Sequence, residues 1–524
     1  MLKKHIVCFI ILLSLPIMQA EAASPEEKEE TLQENIFPEG EVADVKIEIG
    51  EDEWEELINH PMEEEYHPAD VNYNGYSIHN IGIRTKGNSS LSGTVQQDSE
   101  RFSLKLSLDE YINVQNISGL NKINLNNNYQ DPTYMREYLT YEIMEETGLP
   151  VPNVSFVRVY INGEYWGLYT AVEQIDESFL ERNFANNYGA LYKPDGEGSD
   201  LLWQGEEIDD YSGLNLKSES SNDNIILDML DELNNGSRYE EVLNVDEILR
   251  FFAVNTVLVN MDSYQGSMAH NYYLYEENGI FSVIPWDYNM SFAGFGMGMG
   301  RESGGNEEKR EAVDGNQTDL LIDEPTQTSL DERPLLANLL EIDEYKETYH
   351  QYIEDIVTGY LEEDHFQNRV EEVSDLISPY VEEDPTAFYS YGEHLQSLEE
   401  DTGQVPGLMS FVTARVENVT KQLNGDLPSY DDGEGSGGME MPGANRGNEN
   451  ADAQNEENQG ELNGERPADF NPEDREGGPP GGMGGAGQEE TEVDYSAELR
   501  NTGISIGILV LAILFAALFK RKRL

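Results

Sequence analysis

From residue 44 to about residue 200, apolar and polar positions alternate with a period of two. The runs DVKIEIG, YSIHNIGIRTKG, RFSLKLSL, NKINLNN, VSFVRVYINGEYWGLYTAVE and GALYKPDG combine this alternation with β-branched or aromatic residues and turn glycines, and each predicts strand. Asn162-Gly163 separates two halves of one run and predicts a tight hairpin. One segment breaks the rhythm. PTYMREYLTYEIMEETGLP predicts a helix with Tyr138, Tyr141, Ile143 and Met144 on its apolar face, stopped by Gly148 to Pro150. DESFLERNF predicts a short helix after the hairpin.

Beyond residue 200 the periodicity becomes helical. DNIILDMLDELNNG and NVDEILRFFAVNTVLVNMD predict helices, NYYLYEENG and IFSVIPWD predict two strands around Glu277 to Gly279, and two long helical stretches follow. The first, DLLIDEPTQTSLDERPLLANLLEIDEYKETYHQYIEDIVTGYL, contains at least one break, and the second is HFQNRVEEVSDLISPYVEED. The pattern predicts an α+β body with a strand-rich lobe over 36–200 and a mainly helical lobe with one hairpin over 201–424. A cleft between the two is the expected place for a site.

The ends change the picture. Residues 1–23 carry two lysines, an apolar run and small residues, the pattern of a secretory signal peptide. The single cysteine, Cys8, lies inside it, so a processed chain has no disulfide and no thiolate chemistry. Residues 425–502 are rich in Gly, Pro, Asn and acids and predict a disordered stalk. Residues 503–519 are continuously apolar or small, and 520–524 are basic; together they predict a single-pass type I anchor in the cell membrane, with the exported body outside. With 103 acidic and 32 basic residues the formal charge is −71, which repels nucleic acid. Phosphate chemistry in such a chain requires a divalent metal or a few well-placed cations.

The hairpin following Asp262 returns the chain to its starting end, so Asp262, Asn271 and Asp287 can cluster. Asp and Asn also serve as ordinary turn residues, which is the bland alternative. Phosphoryl transfer to a hydroxyl needs one carboxylate to orient it and accept a proton, a carboxylate with an amide oxygen for Mg²⁺ or Mn²⁺, and a cation on the phosphates. Asp262 matches the first requirement, Asp287 with Asn271 the second, and Lys105 on a strand the third. Glu142 is the candidate helix partner of Lys105, with Glu137 the alternative. The loop RTKGNSSLSG offers amides and hydroxyls such as that of Ser89, with Arg84 and Lys86 adding charge. Lys193 is a further phosphate contact, and Glu173 ends a strand beside the lobe junction, where a nucleotide base could bind. Exposed lysines and helix glutamates are commonly only solvated. The chain has no HExxH, G-x-S-x-G or P-loop, although a glycosidase carboxylate pair stays open.

RTKGNSS, FSLKL, REYLTYEIMEETGLPVPNVSFVRVYINGEYWGLYTAVEQIDESFLERNF, GALYKP, NMDSYQGSMAHNYYLY and IPWDYNMSF together resemble the CotH family, the spore-coat-H-like atypical protein kinases. The resemblance covers roughly residues 80–295. It implies a two-lobed, atypical protein-kinase-like fold and transfer of phosphate from ATP to serine or threonine of a protein substrate, with a divalent metal. It implies Asp262 as the catalytic aspartate, Asp287 as the metal-binding one, Lys105 on the ATP phosphates and Glu142 as its partner. Asn289 stands where family members often carry another acid. The alternatives are a surface or coat protein that keeps the fold without turnover, and another metal-dependent transferase or hydrolase.

Overall fold

The computed structural model describes residues 25–219, 221–295 and 317–436. Chain contacts divide the protein into a unit ending at Asn445 and a second unit, Arg446–Leu524, which lies outside the described residues. The first unit is mixed α+β, strand-rich in its N-terminal region and mostly helical after it, consistent with a bilobal kinase-like fold.

Seven strands, β1 (Ala43–Ile49), β2 (His67–Tyr73), β3 (Tyr76–Lys86), β4 (Ser103–Ser107), β5 (Lys122–Asn126), β6 (Val154–Ile161) and β7 (Glu164–Glu173), form a closed barrel in the order β1-β2-β3-β4-β5-β7-β6. Neighbours run antiparallel except where β1 meets β6 in parallel, Ala43 opposite Val157, and closes the ring. Closure removes both sheet edges. Alternation along β1 and β2 buries Val45, Ile47, Val71 and Tyr73 in one apolar cluster inside this lobe. A second sheet, in the order β11-β10-β8-β9, consists of β8 (Leu191–Pro194), β9 (Leu214–Leu216), β10 (Tyr272–Glu277) and β11 (Ile280–Pro285).

The helices are α1 (Pro25–Thr31), α2 (Glu51–Asn59), α3 (Ser89–Gln96), α4 (Arg136–Glu146), α5 (Glu177–Asn183), α6 (Asp223–Asn235), α7 (Val245–Val257), α8 (Pro334–Leu340), α9 (Asp343–Thr358), α10 (Glu363–Glu382), α11 (Tyr391–Glu399) and α12 (Leu408–Leu423). Helix α4 departs from the one-faced helix its spacing predicts: Tyr138, Leu139, Tyr141 and Met144 are buried together with Arg136 and Glu137. The helical stretch expected from residue 319 starts only at Pro334, and the Gly/Ser-rich loop after β3 turns into α3.

Two buried arginines join the lobes. Arg101, just before β4, pairs with Asp384, just after α10, at 2.8 Å, and both side chains are wholly buried. Asp384 also accepts from the Leu168 amide of β7 (2.9 Å). Gly167 is required there, because a Cβ would stand 2.4 Å from Arg101 Nη1. Arg136 donates to the carbonyls of Ser291, Phe292 and Pro406, fastening α4 to the segment after β11.

One expectation is corrected. Among the described residues no helix is long and apolar enough to cross a membrane. The type I anchor, the membrane as a partner and the cell-membrane localisation are therefore not carried forward. The 1–23, 503–519 and 520–524 segments, and the stalk beyond residue 436, lie outside the described residues.

Asp384→Ala leaves the Arg101 guanidinium buried without its counter-charge, and a loss of about 3–5 kcal/mol is expected. Urea unfolding of the variant measures it; a loss under about 1 kcal/mol would mean that the lobes are held together elsewhere.

Candidate active site

The β10–β11 hairpin turns at Asn278-Gly279, both with positive φ (57° and 88°), as a two-residue type I′ loop requires. Its register pairs Tyr272 with Pro285, so Asn271 and Trp286-Asp287 emerge at one end. Asn271 and Asp287 both have left-handed backbone (φ 56° and 64°), which short polar side chains tolerate best. Asp262 follows α7 across a short loop and meets the same end. Asn271 Nδ2 donates to its carbonyl (2.9 Å) and to its Oδ2 (3.1 Å). His270 Nε2 donates to Oδ1 at 2.8 Å.

A cavity of about 940 Å³ opens here between the barrel and the helical lobe. Arg84, Lys86, Ser89, Lys105, Lys193, Asp262, Asn271 and Asp287 all line it, so eight residues singled out from sequence converge. Two do not. Glu142 accepts from Arg369 Nε (3.0 Å) and Tyr360 Oη (2.6 Å) on the helical lobe, and Lys105 instead donates to Gln174 Oε1 at 2.7 Å. Glu173 is fully buried and tied to Arg182 Nη1 (2.7 Å) and the Asn153 amide (3.1 Å), which leaves it a structural anchor.

Glu137, the alternative partner, is buried and reaches the cavity only through Asn126, which lines it. Asn126 bridges it to a different lysine: Lys86 Nζ donates to Asn126 Oδ1 (2.7 Å), and Asn126 Nδ2 donates to Glu137 Oε2 (2.8 Å). Burial and the nearby Asp287 charge push the Glu137 carboxyl up. Burial pulls Lys86 down, opposed by Asp287 and Glu137. Lys193 is likewise lowered by burial against the pull of Asp287, and its ammonium lies 5.7 Å and 5.9 Å from the Tyr273 and Trp286 rings. Arg84 is held by Glu64 and lies over the Tyr66 ring.

Lys105 is lowered as well. Burial, then repulsion from Lys86, Arg84, Lys122 and Lys193, pulls it down to about 7. Asp262 is pushed up by burial against the hydrogen bond from His270. Burial opposes the charge on His270, yet Asp262 outweighs it and holds the imidazole above its ordinary value. His270 has no assigned role in the sequence reading; its only signal there is its place directly before Asn271.

A divalent ion has a credible donor set. Asp287 and Asp262 bring carboxylates, Asn271 and Asn289 amide oxygens, and among the described residues no side chain hydrogen-bonds the Asp287 carboxylate. Among the described residues no group of three or more His, Cys, Asp or Glu side chains could hold a metal by itself.

A sequence model of the CotH kinase protein family matches residues 83–419, which takes in the barrel from the end of β3 onward and all the residues that line this cleft except Glu64. The chain belongs to the CotH kinase family. Inner spore coat protein H of Bacillus subtilis is 26% identical over 282 residues, 51% of this chain and 70% of that protein. The invasins CotH3 and CotH2 of Rhizopus delemar are 21% identical over 332 residues and 22% identical over 340. Those matches take in 56% and 58% of this CotH chain, and just over half of each invasin, 53% and 55%.

An anion entering the cleft favours charged Lys105, so binding takes up a proton. Affinity for inorganic triphosphate is expected to be highest below pH 7 and to fall as the pH rises through the Lys105 pKa of the complex. Calorimetry near pH 7.5 in two buffers of different ionisation enthalpy measures the uptake, and Lys105→Met is expected to reduce it. Equal heats in both buffers would disprove the coupling.

Proposed function

We propose that the cleft transfers the γ-phosphoryl group of ATP to a serine or threonine hydroxyl of a protein. The observation that carries the reading is the convergence of Lys86, Lys105 and Lys193 with Asp262 and Asp287 on one cavity. In a chain of net charge −71, a cavity lined by six basic and six acidic residues is locally balanced and can admit an anion.

Asp262 would orient the acceptor hydroxyl and take its proton as the oxygen bonds to the γ-phosphorus and the bond to the leaving diphosphate oxygen breaks. His270 and Asn271 fix its two carboxylate oxygens in place. Lys86, Lys105 and Lys193 would bind the phosphates, and the Lys86–Asn126–Glu137 bridge would hold one of these cations in position. Asp287, with Asn271 or Asn289, would hold Mg²⁺ or Mn²⁺. When bound, such an ion neutralises charge on the transferred phosphates.

The relatives, a spore coat protein and two invasins, favour a second reading in which a surface or coat protein of this fold acts by binding alone. Single substitutions separate the two. Asp262→Asn is expected to lower kcat by about a thousandfold with ATP binding kept, and Asp287→Ala to remove the metal-dependent part of ATP binding. Phosphotransfer assays and calorimetry check both; full turnover in either variant would refute that residue's role.

The lysine partner is tested separately. Glu137→Gln is expected to lower kcat/KM by about tenfold or more, and Glu142→Gln by less than about threefold while lowering the Tm. Steady-state kinetics and thermal melts decide it, and the reverse order would restore Glu142 as the site residue.

A further inference from the structure

The chain does not leave the body at residue 424. After α12 it turns at Gly425, and Ser429–Ser436 runs along the segment 321–330 as a strap. Asp323 N–H donates to the Ser429 carbonyl (2.8 Å), and Leu330 N–H donates to the Gly433 carbonyl (2.9 Å). Glu324 is the centre of this contact. It is 1% exposed, and its carboxylate accepts the Asp431 amide at Oε2 and the Gly435 amide at Oε1, both at 2.8 Å. Such charge-assisted bonds are strong, and losing them leaves a buried acid unsatisfied.

The same segment holds the loop that carries Asp262 on its other side. Gln327 N–H donates to the Gln265 carbonyl (3.0 Å), Gln327 Oε1 accepts from the Ser267 amide (2.9 Å), and Gln265 Nε2 donates to the Pro325 carbonyl (2.8 Å). Arg333 Nε donates to the Tyr264 carbonyl (2.8 Å). Ser267 and Gln327 line the cavity with Asp262. The segment is therefore bonded to the strap at Glu324 and, three residues further along the same chain, to the loop 262–270 at Gln327.

We propose that the strap Ser429–Ser436, seated on Glu324, positions the Asp262 loop, so that seating or release of the strap regulates phosphoryl transfer. The inference rests on the phosphotransfer reading of the cleft. Glu324 is a positioning residue: it acts through Gln327 and touches no reacting atom.

Gly435 allows a test from the strap alone. A Cβ there would meet the Thr328 carbonyl oxygen at 2.4 Å and that of Thr326 at 2.9 Å, and its φ is +94°, so Gly435→Val wedges the strap off without changing the segment beneath. In the full chain, Gly435→Val is expected to lower kcat about tenfold while changing KM for ATP less than about threefold, because the barrel's cations are untouched. Amide hydrogen exchange is expected to rise in 429–436 and also in 262–270. Asp432→Asn, on the exposed side of the strap, is expected to leave both unchanged. If Gly435→Val does not fold, Glu324→Gln takes its place, turning an amide N–H₂ toward one of the two backbone donors with the same expected pattern. Faster exchange confined to 429–436, with kcat unchanged, would overturn the proposal. A wild-type chain without transfer would refute the phosphotransfer reading, and the exchange at 262–270 would still show whether strap and loop are coupled.

Discussion

The structure depends on gathering scarce positive charge. An acidic chain disfavours any anionic ligand through its overall field, and only local, partly desolvated cations reverse that sign at short range. Here β3 supplies Arg84 and Lys86, β4 Lys105, β5 Lys122 and β8 Lys193, so adjacent strands of two sheets deliver lysines to one cavity. Their mutual repulsion accounts for part of the fall of Lys105 to about 7. An anion beside Lys105 relieves that repulsion, which is the physical argument for a phosphate ligand.

Asp262 and Asp287 come from the other lobe, and the joint between lobes sets their distance from these cations. Arg101 with Asp384 and Arg136 with the carbonyls after β11 are buried polar ties, costly to break once desolvated. Arg136 and Glu137 are consecutive on α4, so the helix that anchors the segment after Asp287 also presents the carboxyl bridged to Lys86. Fold and site thus share the same short stretch of chain.

Much of this was legible in the sequence. Alternation marked most barrel strands, the Asn278-Gly279 turn marked the hairpin, and that hairpin brought Asp262, Asn271 and Asp287 together. Barrel closure was not legible, because β1 and β6 pair in parallel across more than a hundred residues and no local pattern encodes that partnership. The choice between Glu137 and Glu142 was hidden for a different reason: α4 is covered almost all round, so amphipathic spacing does not say which glutamate turns inward. Glu173 misled because its counter-charge, Arg182, lies beyond a turn on α5. Residues 51–59 and 391–423 form α2, α11 and α12, which the strand and helix patterns singled out from sequence did not include.

The most direct measurement is transfer of radiolabel from γ-labelled ATP, with Mg²⁺ or Mn²⁺, to a generic acidic protein acceptor by the purified chain. The account predicts label on serine or threonine that requires the divalent ion. A folded chain that binds ATP neither with nor without metal, and transfers no label, would contradict it.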